Sequence, residues 1–290
     1  MNQKSLIEMI LLASLWGSSF LFMRIGSPEL GPILFMALRT LTASVFLFPL
    51  MVLKKQTSSL TGQWGKMFVL GALNTAIPFA LFGYAVLTLS AGVTSVLNAT
   101  TPMCGAIVAY LWLKDKLSPG AIFGLLLGFA GVYFLVSDKL HANADAIVLP
   151  TLAVIGATLC YGIAANFTKH YFSHVKPLAL AAGSQISASI ILLPLSLFFL
   201  PNAMPSEAAI YSVVFLGIFC TGLAYILFFR LIADLGPTKA ISVTYLIPVF
   251  GLLWGFIFLD EQITESIIIG CIMILSGVGL TTGVFSRWRK

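Results

Sequence analysis

Leu111-Trp112-Leu113-Lys114-Asp115-Lys116-Leu117-Ser118 and, 146 residues further on, Ile257-Phe258-Leu259-Asp260-Glu261-Gln262-Ile263-Thr264 hold the same place in two similar stretches of one chain, yet carry opposite charge. Gly124 and Gly131-Val132 follow the first; Gly270 and Gly277-Val278 follow the second. Each segment joins two apolar runs. With an odd number of membrane spans in each half, the second half is inverted and its matching loop lies on the opposite face of the bilayer. A basic loop inside and an acidic loop outside is then what the positive-inside rule requires.

The composition agrees. Of 290 residues, 59% are hydrophobic and 9% charged, with a mean hydropathy of +1.02, whereas soluble domains have about a quarter charged residues. Ten apolar runs of membrane-crossing length fall at about 7–25, 32–53, 67–87, 92–113, 119–137, 148–168, 177–199, 210–230, 238–259 and 266–285. The first is read as a mature span and not as a signal peptide, because it is long, has Trp16 at its middle and pairs with a later run. The net charge of +6 follows topology and does not call for nucleic acid. With the N-terminus inside, Lys4, Lys54, Lys55, Lys66, Lys114, Lys116, Lys169, Lys176, Arg230, Lys239, Arg287, Arg289 and Lys290 are cytoplasmic. Only Arg24, Arg39 and Lys139 remain, while Glu29, Asp138, Asp145, Glu207, Asp260, Glu261 and Glu265 fall outside. The expected fold is therefore all-α and integral to the cell membrane, ten spans in a five-plus-five inverted repeat with both termini cytoplasmic.

A shift of 145 residues pairs Trp16-Gly17 with Tyr161-Gly162, Arg24 with Lys169, Pro32 with Pro177, Ser44 with Ser189 and Pro49-Leu50 with Pro194-Leu195. After one inserted residue the shift becomes 146 and pairs Gly71, Thr75, Leu81-Phe82, Pro102, Gly105 and Gly124 with identical residues at 217, 221, 227–228, 248, 251 and 270. Hydrophobic likeness would match leucines, but not prolines and glycines in register. Residues 1–140 and 141–290 are thus expected to form the two repeats. The glycines at 120, 124, 128 and 131, with those at 270, 277 and 279, predict close backbone packing of the fifth and tenth spans. Pro102 and Pro248, near the middle of spans four and nine, predict bends that could act as hinges.

These features in order resemble the EamA-type domain of the drug/metabolite transporter superfamily, twice in tandem. The Leu15–Phe20 segment Leu-Trp-Gly-Ser-Ser-Phe and the 37–43 segment Ala-Leu-Arg-Thr-Leu-Thr-Ala are similar to that family as well. The resemblance implies a secondary transporter that exports small metabolites, such as amino acids and their analogues, from a cavity between the repeats. Small multidrug members exchange protons for cations at a glutamate within the first helix. Here the acidic residue of that run is Glu8, at its cytoplasmic end, which makes proton-coupled export of cationic drugs the alternative reading.

Polar side chains inside a bilayer need a partner or a water-filled cavity. Trp16, Ser19, Asn74, Asn98, Thr101, Tyr161, Tyr225, Thr244 and Tyr245 are the candidates for contact with a small-molecule substrate, Asn98 and Thr244 being repeat equivalents four residues before the two prolines. They outline a neutral, hydrogen-bonding, aromatic pocket suited to a zwitterion or an uncharged amphipath. The competing reading of any single hydroxyl is a bond to its own helix backbone. Arg39 stands in the second run with Ser184 as its repeat mate. It is expected either to snorkel to the outer interface or pair with Glu29, or else to bind a substrate carboxylate. No metal-ligand spacing, nucleophile triad or cofactor motif occurs, so no catalysis, metal or cofactor is expected, and a monomer in the bilayer suffices. A passive pore or an intramembrane enzyme is a distant competitor, neither supported by a filter motif or a catalytic set.

The orientation is open to test in a background freed of Cys104, Cys160, Cys220 and Cys271. An impermeant thiol reagent added to intact cells should label Gln262→Cys and spare Lys116→Cys; the reverse pattern would invert the topology.

Overall fold

The computed structural model describes residues 3–283, the side chains at 139, 141, 142, 237 and 238 excepted. The expectations for Arg287, Arg289 and Lys290, and for the side chains of Lys139 and His141, lie outside the described residues. Among the described residues, nine helices are long and apolar enough to cross a bilayer: α1 Gln3–Leu30, α2 Pro32–Leu53, α3 Trp64–Ala85, α4 Ala91–Leu113, α5 Pro119–Asp138, α6 Asn143–Tyr171, α7 Pro177–Ser196, α8 Glu207–Leu235 and α9 Ile241–Leu259. A shorter apolar helix, α10 Glu265–Thr281, follows. The protein is an all-α integral membrane protein. Its outer surface is a belt of large apolar side chains, among them Leu53, Phe123, Leu126 and Phe198, an exposure that lipid tolerates and water does not.

Helix starts follow local chemistry. Ser90, Ser118, Ser206 and Thr264 each accept a hydrogen bond from the amide three residues on, capping α4, α5, α8 and α10. Pro32, Pro119 and Pro177 occupy first-turn positions where a missing N–H costs nothing. The two charged segments that open the sequence reading end their helices in the same way. Lys114 and Asp260 both take left-handed backbone conformations (φ 59° and 52°), and the next amides, of Asp115 and Glu261, reach back to Ala109 and Gly255 at 3.3 and 3.2 Å.

Contacts place those segments at opposite ends of the bundle. Glu29 at the end of α1 accepts from the Ser206 amide and hydroxyl at 2.6 and 2.8 Å, Ser266 donates to Asp138 at 2.8 Å, and Glu261 meets the amides of Ala91 and Gly92. Lys114 lies a full span away along α4.

The helices cross where at least one partner is glycine, and they do so in symmetric pairs. A Cβ on Gly17 of α1 would stand 2.9 Å from the Gly251 nitrogen of α9, and one on its repeat mate Gly162 of α6 would stand 2.8 Å from the Gly105 nitrogen of α4. Gly71 of α3 likewise abuts Ser184 and Ser187 of α7, while its mate Gly217 of α8 abuts Arg39 and Thr42 of α2. On the pseudo-twofold axis itself, Ser44 and Ser189 touch through their hydroxyls at 3.2 Å. Gly124, Gly128 and Gly131 of α5 interlock with Gly270 and Gly277 of α10, as the glycine pattern predicts. Gly120 is different: it stands at the first turn of α5 with only the Ser118 hydroxyl nearby.

Such contacts have no room for a methyl group. Gly277→Ala would bring a Cβ within 2.7 Å of the Gly128 nitrogen, so it should destabilise the folded protein by about 1–3 kcal/mol. Gly65→Ala, with open space around it, is the control. Thermal unfolding in detergent should separate the two variants; equal midpoints would remove the close contact.

Candidate functional site

Four departures from regular α-helix gather at one depth of the bundle, while a further π-helical turn, Ala109–Leu113, ends α4 at the Lys114 side. Spans α3 and α8 carry equivalent π-helical turns, Ala72–Ala76 and Ile218–Leu223, a distortion common at functional sites. α4 is two helices, Ala91–Asn98 and Thr101–Val108, with Pro102 opening the second. α9 starts as a 3₁₀ turn, Ile241–Tyr245, and resumes as Ile247–Leu259 with Pro248 in its first turn. Proline cannot donate to the preceding turn, so carbonyls are released. The Asn98 carbonyl, which Pro102 cannot reach with a donor, is taken by the Thr101 hydroxyl at 2.7 Å, and beside the two interruptions Thr100 and Thr244 bond the carbonyls of Leu97 and Ile241 at 2.8 Å. The two prolines thus sit at interruptions of the helix, not at smooth bends.

Between these irregular segments lies a cavity of about 350 Å³. Trp16, Ser19, Asn74, Asn98, Thr101, Tyr161, Tyr225 and Thr244 line it, as do Arg39 and Pro102. Tyr245 does not: its hydroxyl bonds Thr282 at 3.0 Å on the exposed side. Pro248 is buried near the cavity without lining it. Toward the Glu261 end the wall is closed by Phe20 and Met23, 5% and 3% exposed. Toward the Lys114 end it reaches the surface, where the lining residue Ile241 is 56% exposed.

Arg39 corrects the expectation of a neutral pocket. It neither snorkels nor pairs with Glu29, which is held by Ser206 instead. Its side chain is 6% exposed, its Nε donates to Thr221 at 3.2 Å, and its guanidinium stacks 3.7 Å from the centre of the Phe79 ring. No acidic residue lines the cavity among the described residues. Stacking and one hydroxyl leave most of its five donors without an anion. The repeat shows what the fold alone requires at this position. The mate of the Arg39–Thr221 contact is Ser184–Thr75, a hydroxyl pair at 3.0 Å. A serine satisfies that position in one half; the other half spends a cation there.

Two aromatic pairs flank the cavity symmetrically. Trp16 meets Phe228 at 5.2 Å between ring centres, and its mate Tyr161 stacks on Phe82, the mate of Phe228, at 5.9 Å. Phe79, Phe82 and Thr221 were not singled out from the sequence, although Leu81-Phe82 and Thr75 are matched across the repeat; that match was the available signal. Several polar groups settle into structural work. Thr94 and Ser95 bond carbonyls of their own helix, and Asn166 donates to both Gly105 and Gly162, pinning the α4–α6 crossing. Glu8 lies away from the cavity, paired with Arg230 of α8 at 2.7 Å.

Comparison with known proteins gives the arrangement its kin. Residues 3–137 and 149–283 each match the model of the EamA-like transporter family. The chain is 27% identical to YoaV, an uncharacterized transporter of Bacillus subtilis (strain 168), over 98% of both chains. It is 23% identical to a protein of Escherichia coli (strain K12) described as a probable amino-acid metabolite efflux pump, covering 100% of this chain and 98% of that one. One solved crystal structure, 18% identical, has the same fold with a TM-score of 0.70 over 98% of this chain and 99% of that one. With both repeats matched along nearly their whole length, the chain belongs to the EamA-like transporter family, as a multi-pass membrane transporter built from two tandem EamA domains.

Proposed function

We propose that this protein is a secondary transporter of the plasma membrane that exports small carboxylate-bearing zwitterions, such as amino acids and their analogues, by alternating access. The observation that carries the substrate class is Arg39, a buried cation on the wall of a cavity that offers it no carboxylate. A charge inside the membrane costs several kcal/mol unless it is compensated. A substrate carboxylate supplies the compensation in bidentate geometry, which the guanidinium fork is shaped to accept. The amide of Asn98, the hydroxyls of Thr101 and Thr244 and the faces of Trp16 and Tyr161 are then available to the amine and side chain of the guest. A volume of about 350 Å³ suits a molecule of that size.

The alternative, proton-coupled export of cationic drugs, is disfavoured by the same arginine, which repels a cation, and by the engagement of Glu8 with Arg230. The description of the Escherichia coli relative as an efflux pump supports the solute class and the outward direction.

Arg39→Ser adopts the solution that the repeat already uses at Ser184, so insertion should be normal. Loss of a charge-assisted bond of about 1.5–3 kcal/mol should raise the half-saturation concentration for an amino acid in proteoliposome counterflow by roughly 10- to 100-fold. The amino-acid amide, lacking the carboxylate, should be transported poorly by the wild type and be little affected by the substitution. Wild-type affinity for the amino acid in Arg39→Ser, or preferred transport of a lipophilic cation, would overturn the reading. For the hinge role, Pro102→Ala and Pro248→Ala should insert normally and slow transport, since each restores a backbone bond at an interruption; unchanged rates in both would remove it.

A further inference from the structure

At the Glu261 end, one turn is held from both sides. Residues 86–91 join α3 to α4, ending one helix and starting the next. Arg24 of α1 donates from one guanidinium nitrogen to the carbonyls of Val86 and Leu87, the latter at 2.7 Å. Glu261, just past α9, accepts from the Ala91 amide at 2.6 Å and the Gly92 amide at 2.9 Å. A cation therefore sits on the C-terminal carbonyls of α3 and an anion on the N-terminal amides of α4, each at the helix pole of opposite sign. These are charge-assisted bonds, about twice as strong as neutral ones. They tie together helices from both repeats on the side where the cavity is closed.

The repeat equivalents lie at the opposite end and are not engaged. Arg24 corresponds to Lys169, Glu261 to Asp115, and the 86–92 turn to residues 232–238, the end of α8 and the start of its connection to α9. Lys169 and Asp115 are exposed, and among the described residues neither side chain makes a hydrogen bond or ion pair. This is the side on which the cavity reaches the surface. Closed latch with closed cavity at one end, and open latch with open cavity at the other, is the asymmetry that an inverted repeat exchanges when the two halves swap conformations.

We infer that Glu261 and Arg24 are the positioning residues that hold the outer face shut, and that Asp115 and Lys169 are their counterparts, gripping the 232–238 turn when the cavity opens outward. The inference rests on the alternating-access reading. The two latches are unequal. Pro237 has no amide where Ala91 offers one, aspartate is one methylene shorter than glutamate, and lysine presents a point charge where arginine presents a fork. The outer latch is the stronger, so the resting protein favours the form in which it is closed.

The test reads access to the cavity. Ala99 lines it and is small, so Ala99→Cys in a cysteine-free background serves as the reporter. An impermeant thiol reagent is applied from either face of oriented proteoliposomes. Glu261→Gln should raise the outside-to-inside ratio of labelling rates by about tenfold, the loss expected when a charged acceptor is replaced by a neutral one. Arg24→Gln should move it the same way, Glu261→Asp should restore part of the wild-type ratio, and Asp115→Asn should shift the ratio in the opposite direction. A purely structural role would lower the amount of folded protein without moving the ratio in opposite senses. If the cysteine exchanges between faces but Glu261→Gln and Arg24→Gln leave the ratio unchanged, or Asp115→Asn shifts it the same way as they do, the latch is overturned while alternating access stands. If the cysteine is reachable from one face only, with or without an amino-acid substrate, alternating access itself fails and the latch with it.

Discussion

A backbone amide or carbonyl facing hydrocarbon must be satisfied within the chain, and the architecture follows from this constraint. On the lipid side the only solution is uninterrupted α-helix. The π-helical turns of α3 and α8, the break in α4 and the 3₁₀ start of α9 face the central cavity or are buried in protein, whereas a further π-helical turn, Ala109–Leu113, is exposed at the end of α4 beside its charged segment. Irregular backbone and polar surface therefore coincide. The Asn98 carbonyl that Pro102 leaves without a donor is taken up by Thr101, and the hydroxyls of Thr100 and Thr244 bond further backbone carbonyls beside the same two interruptions.

The same constraint makes the helix crossings depend on small residues. Lipid tails are as apolar as leucine, so helices associate through close van der Waals contact and not by escape from water. Gly17 on Gly251, Gly162 on Gly105, and Gly124, Gly128 and Gly131 on Gly270 and Gly277 supply it. These contacts come in symmetric pairs, so the two halves present equivalent interfaces. What breaks the symmetry is charge. Arg39 stands where Ser184 would serve, and Arg24 with Glu261 is engaged where Lys169 with Asp115 is not. One asymmetry places a cation on the cavity wall; the other distinguishes the two ends of the bundle.

Much of the fold was legible in the sequence because its signals are periodic or positional. Apolar runs of bilayer length announced the spans, the constant offset of prolines and glycines announced the repeat, and the segments at 111–118 and 257–264 announced its inversion. Cavity candidates could be named by asking which polar groups a membrane would not tolerate unaided, and Trp16, Asn98, Tyr161 and Thr244 all line the cavity on that ground alone. Tyr245 shows the limit: one residue beyond Thr244, it points elsewhere and bonds Thr282.

Only the tertiary structure decided which way each side chain faces. In spans that are apolar nearly all round, periodicity does not separate the lipid side from the protein side. Arg39 illustrates the difference. Its depth in the second run and its serine mate were evident in the sequence, but whether it reached outward to headgroups or inward to the cavity depended on Thr221 and Phe79, which are 182 and 40 residues away along the chain. Glu261 is the complementary case, for its charge identified the face on which it lies, while its two bonds to the amides of α4 exist only once the halves have been brought together. Equivalence between positions is a property of the chain and survives in one dimension; contact between them requires the third.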